Sequence, residues 1–165
     1  MNNVKLEYEL YKPMRDWLYD YLNDKYKDQK CSIKVLDTHT KYLDAVLDEN
    51  DIIKFYPNIV GLGIQIDVLG IVIFENKADL FFIEAKKNQL NLHDLGQIIV
   101  YCELCEPKNA WLLSSAGLGS LDKTLKNLNR TDLLIYGNNQ FISVAKWDVQ
   151  RKTVDQHSMV TVNTK

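Results

Sequence analysis

Asp67, Glu84 and Lys86 are the residues of this chain whose types and spacing could do chemistry together. They fall in QIDVLGIVIFENKADLFFIEAK, residues 65–86, where two apolar runs flank the segment Glu75-Asn76-Lys77-Ala78. Taking a charge out of water is costly, so charges inside the most hydrophobic segments need a reason. Successive side chains of a strand point to opposite faces, which puts Glu84 and Lys86 on one face and turns Ala85 into the packing. If the two runs pair as a hairpin, Asp67 lies opposite that face and its carboxylate comes beside that of Glu84. Two carboxylates that close repel unless a cation lies between them or one takes a proton. A few hard oxygen ligands, with room left for water and a substrate phosphate, suit Mg²⁺, with Mn²⁺ as a substitute. An ammonium two residues from such a carboxylate can orient an attacking water and offset charge developing on a phosphoryl group. The chemistry that fits the trio is phosphodiester hydrolysis.

Each feature also has a plain reading. Glu-x-Lys arises on ordinary solvated strand edges, but a third charge in the preceding apolar run is harder to explain that way. Cys102-x-x-Cys105 has no second pair, and both cysteines fall on the apolar side of a helix, so core packing is expected rather than zinc. His39 and His93 have no spaced partner and receive no role. Gly61-Leu62-Gly63 lacks the third glycine of a dinucleotide fingerprint. The segment from Ser114 to Ser120 lies between a strand and a helix, where backbone amides would face an anion, so Ser114 and Ser115 are expected phosphate contacts. Lys87 and Lys123, with Lys108, Lys126 and Arg130, are expected to border a groove for nucleic acid. Trp17, Trp111 and Trp147 read as core or interface anchors.

The elements that must position these residues follow from periodicity. Residues 5–26 place Leu6, Leu10, Met14, Trp17, Leu18, Tyr21 and Leu22 at three- and four-residue spacing, the pattern of an amphipathic helix that Pro13 either starts or kinks. Cys31 to Leu36 predicts a short strand, and 41–58 gives no clear signal. Ile64 to Phe74 and Leu80 to Ala85 predict a hairpin. Leu92 to Cys105 is a helix ended by Pro107, Ala110 to Leu113 a strand, Leu118 to Leu128 a helix and Leu133 to Tyr136 a strand. Gly137-Asn138-Asn139 turns the chain into Phe141 to Trp147, and Met159 to Val162 is a further edge strand. This order predicts an α/β domain with a central mixed β-sheet flanked by helices and an antiparallel C-terminal extension.

The same residues carry a resemblance. Asp67, sixteen intervening residues and then Glu84-Ala85-Lys86 resemble the bipartite signature of the PD-(D/E)xK nuclease superfamily, with Ile66 where a proline is usual. Gly96-Gln97-Ile98-Ile99-Val100-Tyr101 is similar to the Gln-x-x-x-Tyr element of one branch, and Glu7-Tyr8-Glu9 to its first-helix glutamate, with Glu7 as counterpart and Glu9 as the other register. The resemblance covers residues 5–115 and leaves 116–165 outside. It implies a restriction endonuclease-like core in which Asp67 and Glu84 bind Mg²⁺ through carboxylates and Ala85 through its carbonyl. Lys86 would position the attacking water, Gln97 would orient Lys86 or a phosphate, and Glu7 would hold a metal-bound water or a second ion.

At 165 residues, 46% hydrophobic and 25% charged, the chain has the composition of one globular domain. Its net charge of -2 leaves any polyanion to a local basic patch. Three cysteines, no apolar leader after Met1 and no run near the roughly 18 apolar residues of a membrane span predict a cytoplasmic protein with no membrane partner. The expectation is a Mg²⁺-dependent DNA endonuclease of the small type II restriction kind, without organic cofactor, acting as a homodimer through residues 116–165. A repair or junction-resolving nuclease of the same superfamily, or an inactive nucleic-acid-binding member, stands as the alternative.

Overall fold

The computed structural model describes residues 3–162. A 3-10 turn at Glu7–Leu10 leads into helix α1, Tyr11–Lys25. Tyr11, Met14, Leu18 and Leu22 make its buried stripe, and Pro13 falls in its first turn, where an N–H would have no partner inside the helix. Strand β1 (Ser32–Asp37) and helix α2 (Leu43–Glu49) follow, then two 3-10 turns at Ile53–Phe55 and Pro57–Ile59, which resolve the stretch that carried no sequence signal. The expected hairpin is β2 (Val68–Ile73) and β3 (Ala78–Lys86), closed by the Phe74 N–H on the Lys77 carbonyl at 2.8 Å. β2 starts four residues later than the apolar run suggests. Ile64 and Ile66 are buried, but the backbone at Ile64 accepts the Leu43 N–H at 2.7 Å to start α2 rather than joining the sheet.

α3 spans Leu92–Cys105, β4 Asn109–Ser114 and α4 Gly119–Asn127. A capping box holds the start of α3: Asn91 Oδ1 accepts the Asp94 N–H and Asp94 Oδ2 accepts the Asn91 N–H, both at 3.1 Å. A 3-10 turn occupies Thr131–Leu134, so the strand expected from Leu133 is reduced to β5, Ile135–Tyr136. β6 (Gln140–Asp148) and β7 (Thr153–Val154) complete the elements, and the edge strand expected at 159–162 is a single bridge between Val144 and Val160.

The seven strands form a mixed sheet with the order β1-β2-β3-β4-β6-β5, β7 pairing with β6. β1, β2 and β3 are antiparallel neighbours, whereas β3–β4 and β4–β6 are parallel. The C-terminal extension is antiparallel, as expected, between β5 and β6, between β6 and β7 and at the Val144–Val160 bridge, but beside β4 the strand β6 extends the sheet in parallel. The chain beyond 115 therefore completes the core through a β4–α4–β6 crossover, which needs a helix on the sheet face.

Helices cover both faces, which is why the central strands read as continuous apolar runs. Phe81, Ile83 and Ala85 of β3 join α1 in one core, while Leu80 and Phe82 join α2, α3 and α4 in the other. Each buried Leu, Ile, Val or Phe side chain contributes roughly 1.5–3 kcal/mol. Gly70 permits the close crossing of α1 over β2, since a Cβ there would lie 2.9 Å from Leu22 and 3.0 Å from Leu18. Cys102 and Cys105 are buried free thiols, raised in pKa by burial, and Trp111 and Trp147 are core residues. Among the described residues no helix is long and apolar enough to cross a membrane.

Candidate active site

The sheet register brings the acidic pair together. Val68 pairs with Ile83, so one step outward Asp67, just before β2, meets Glu84 on β3. Asp67 Oδ2 accepts the Ala85 N–H at 2.9 Å, and Glu84 Oε2 lies 3.4 Å from the Asp67 N–H, so each carboxylate reaches across to the other segment's backbone. β1 fixes the same point from the other side. The Thr38 N–H donates to the Asp67 carbonyl at 3.0 Å, and its hydroxyl to the Ile66 carbonyl at 2.5 Å.

Glu84 is only 3% exposed. Burial pushes its pKa from 4.5 up to about 8, the neighbouring Asp67 charge adds to the rise, and Lys86 opposes it. Burial also raises Asp67, against the pull of the Ala85 N–H and of Lys86, while the Glu7 charge adds to the rise. Both carboxylates are thus held toward the protonated form when no cation is present. A shared proton would occupy the role a divalent ion would take, and the donor set fits a hard cation. Among the described residues no group of three or more His, Cys, Asp or Glu side chains is arranged to hold a metal ion. An ion here would rest on two carboxylates, backbone oxygen and water, the sparse protein ligation that Mg²⁺ accepts.

Lys86 is half-buried on the same strand, two residues beyond Glu84. Among the described residues it has no ion pair within 4.0 Å, so its ammonium acts on both carboxylates through charge while staying available to an anion. The site lies at the C-terminal ends of the parallel strands β3, β4 and β6, the end at which open α/β sheets bind ligands.

The 3-10 turn before α1 decides between the two glutamates. Glu7 Oε2 accepts the Lys87 N–H at 3.2 Å, at the end of β3. Glu9 instead accepts the Leu6 N–H at 2.9 Å and faces a groove with Lys12, Asp16 and Trp17. Gln97 is half-buried on α3 beside Leu92, His93, Gly96 and Tyr101, in an open hollow, and among the described residues no hydrogen bond ties it to Lys86 or to either carboxylate.

The hydroxyls of Ser114 and Ser115, the expected phosphate contacts, both meet backbone carbonyls. Ser114 is fully buried, its hydroxyl donates to the Asn88 carbonyl at 2.5 Å and accepts the Ala116 N–H at 3.0 Å. The Ser115 hydroxyl donates to the Lys87 carbonyl at 3.3 Å, its N–H to the Lys86 carbonyl at 3.1 Å, and the Leu90 N–H reaches the Gly117 carbonyl at 3.1 Å. The loops after β3 and β4 are fastened to each other, so the serine hydroxyls hold the end of β3 in place. Lys87 Nζ donates to the Lys5 carbonyl at 3.2 Å, and Lys123 is exposed on α4. Of the other expected basic residues, Lys108 sits at the start of β4, the far end of the sheet, while Lys126 and Arg130 pair with Asp122 and Asp132.

Comparison with known protein families, characterised proteins and solved structures yields no match.

Sequence reasoning missed several residues at this end. Tyr11 is buried, and burial raises its phenol pKa far above the ordinary value of 10, with the charges of Asp67, Glu7, Glu84 and Asp37 adding to it. It therefore stays neutral among four carboxylates. Its ring lies 4.6 Å from that of His39, whose Nδ1 is 2.5 Å from Asp37 Oδ1. The signal was present in part: Tyr11 follows Glu7 by one helical turn. Lys146, exposed and in register with Ser114, adds a cation at the same end, and only the parallel placement of β6 reveals it.

Proposed function

We propose that this chain is a Mg²⁺-dependent endonuclease with a restriction endonuclease-like core, hydrolysing DNA phosphodiester bonds in the manner of a small type II restriction-like enzyme. The observation that carries the reading is the Asp67–Glu84 pair: two carboxylates, one nearly buried, held side by side at the ligand-binding end of a sheet with an unpaired ammonium two residues away. A fold gains nothing from burying like charges together, and a divalent ion removes the conflict.

In this reading Asp67 and Glu84 hold the ion through their carboxylates and Ala85 through its backbone carbonyl. When bound, the ion supplies Lewis acidity toward the scissile phosphate. The Ala85 N–H keeps the Asp67 carboxylate oriented. Lys86 orients the attacking water and offsets negative charge as the phosphorus becomes five-coordinate. Glu7, anchored on the Lys87 N–H, buttresses the end of β3. Tyr11 remains a neutral phenol and adds no further negative charge to the site. Lys86, Lys87 and Lys146 supply the local positive charge that a chain of net charge -2 needs to approach DNA.

The test is relaxation of supercoiled plasmid with Mg²⁺, with Mn²⁺ and with chelator, for the native chain and for Lys86→Ala. Cleavage that needs the divalent ion and is lost with Lys86 is the expected outcome. Cleavage that ignores chelator, or persists undiminished without Lys86, overturns the mechanism.

A further inference from the structure

The outward side of α3 carries apolar residues that the fold does not use. Leu92, Val100 and Leu104 are 56%, 54% and 51% exposed. With Gly96 they form a line at four-residue intervals, 92, 96, 100 and 104, opposite the buried stripe of Leu95, Ile98, Cys102 and Cys105. Three large apolar side chains aligned on one solvent-facing stripe are a contact surface rather than scattered exposure.

Gly96 says what kind of contact. Glycine in the middle of a helix is destabilising relative to alanine, so it needs a reason. Within the chain there is none, because a Cβ at Gly96 would have no atom within 4 Å. A missing side chain with nothing above it suits the approach of a residue from another molecule.

The stripe is also symmetric about Ile98. A two-fold axis at that position, with two α3 helices crossing antiparallel, sets Leu92 against Leu104 of the second copy and Val100 into the gap over Gly96. The same operation sets exposed His93 against exposed Glu103, a hydrogen-bond donor opposite a carboxylate. Apolar positions meet apolar positions, and a hydrogen-bond donor meets a carboxylate, under the symmetry that an isologous dimer requires. We infer that this face of α3 is a self-association surface, occupied by α3 of a second copy of the chain. The surface lies outside the 116–165 region where the sequence reading placed an interface. One helix face is smaller than the roughly 800 Å² per partner of a standard interface, so the dimer is weak and reversible. The inference is independent of the carboxylate site and holds whether or not that site binds metal.

Sedimentation equilibrium of the full chain over a wide concentration range tests it. The native protein is expected to show a reversible monomer–dimer equilibrium. Val100→Glu should be monomeric throughout with an unchanged melting temperature at low concentration. Gly96→Ala should raise the melting temperature of the monomer and weaken dimerisation at least about tenfold, opposite effects that a purely structural glycine does not give. His93→Glu should weaken the dimer, and adding Glu103→Lys should restore it. A native chain that stays monomeric at every concentration, or a dimer indifferent to Val100→Glu, overturns the proposal. Plasmid cleavage reads the other site, so failure of one leaves the other standing.

Discussion

Two polar clusters lie at the same end of the sheet, each touching the last residues of β3 or those just after it, and they differ in how their groups are satisfied. Around Ser114 and Ser115 each hydroxyl meets a backbone carbonyl, and the two loops lock together. At Asp67 and Glu84 two acids share a space that suits one negative charge, with Glu84 pushed to about 8. A satisfied buried network adds stability and orders the chain. A buried pair with a strongly perturbed pKa at an open sheet end is a candidate functional site. Substitutions in the two clusters should therefore separate activity from stability.

The largest contrast is in turnover. Asp67→Asn keeps an oxygen to accept the Ala85 N–H but removes the charge, and is expected to lower Mg²⁺-dependent plasmid cleavage roughly a hundred- to ten-thousand-fold with little loss of thermal stability. Ser114→Ala should do the reverse and retain the cleavage rate of whatever fraction is folded.

Next comes pH. Glu84 binds its proton more tightly when folded, so its contribution to stability is complete below its ordinary pKa of 4.5 and is lost as pH rises toward about 8. In that window the metal-free protein should lose up to about 1.4 kcal/mol per pH unit from this one group. Denaturant titrations at several pH values should show this slope, and Glu84→Gln should flatten it. Added Mg²⁺ should reduce the slope as well, since the ion replaces the proton. An unchanged slope in Glu84→Gln means that another group governs the titration.

Smaller still is the direct cost of the buckle. Ser114→Ala removes two part-buried bonds, the donor to the Asn88 carbonyl and the acceptor of the Ala116 N–H, and at about 0.5–1.5 kcal/mol for each this predicts a loss of about 1–3 kcal/mol in urea unfolding. Ser115→Ala removes only one longer bond of the same burial, to the Lys87 carbonyl, and about 0.5 kcal/mol is expected. Equal losses for the two would show that the number and length of the bonds do not set the cost.

Much of the molecule was legible before any coordinates. The bounds of α3 follow from periodicity ended by Pro107, and the β2–β3 hairpin from two apolar runs about a turn, because these signals are local. The shared face of Glu84 and Lys86 follows from strand alternation, and the meeting of Asp67 with Glu84 from the length of the hairpin. Residues 41–58 were illegible since a seven-residue helix and 3-10 turns carry little periodic signal.

What the sequence determined by itself is therefore short-range: helix and strand positions, which side chains share a face, and a trio of charges where burial makes charge costly. Tertiary structure decided the rest. It put β6 parallel to β4 and so brought Lys146 to the same end of the sheet, chose Glu7 over Glu9 through one backbone bond, set the charges of four carboxylates about Tyr11, and turned Ser114 and Ser115 into a clasp. Each of these depends on segments far apart in the chain, where packing and hydrogen-bond satisfaction select among arrangements that local patterns leave equally open.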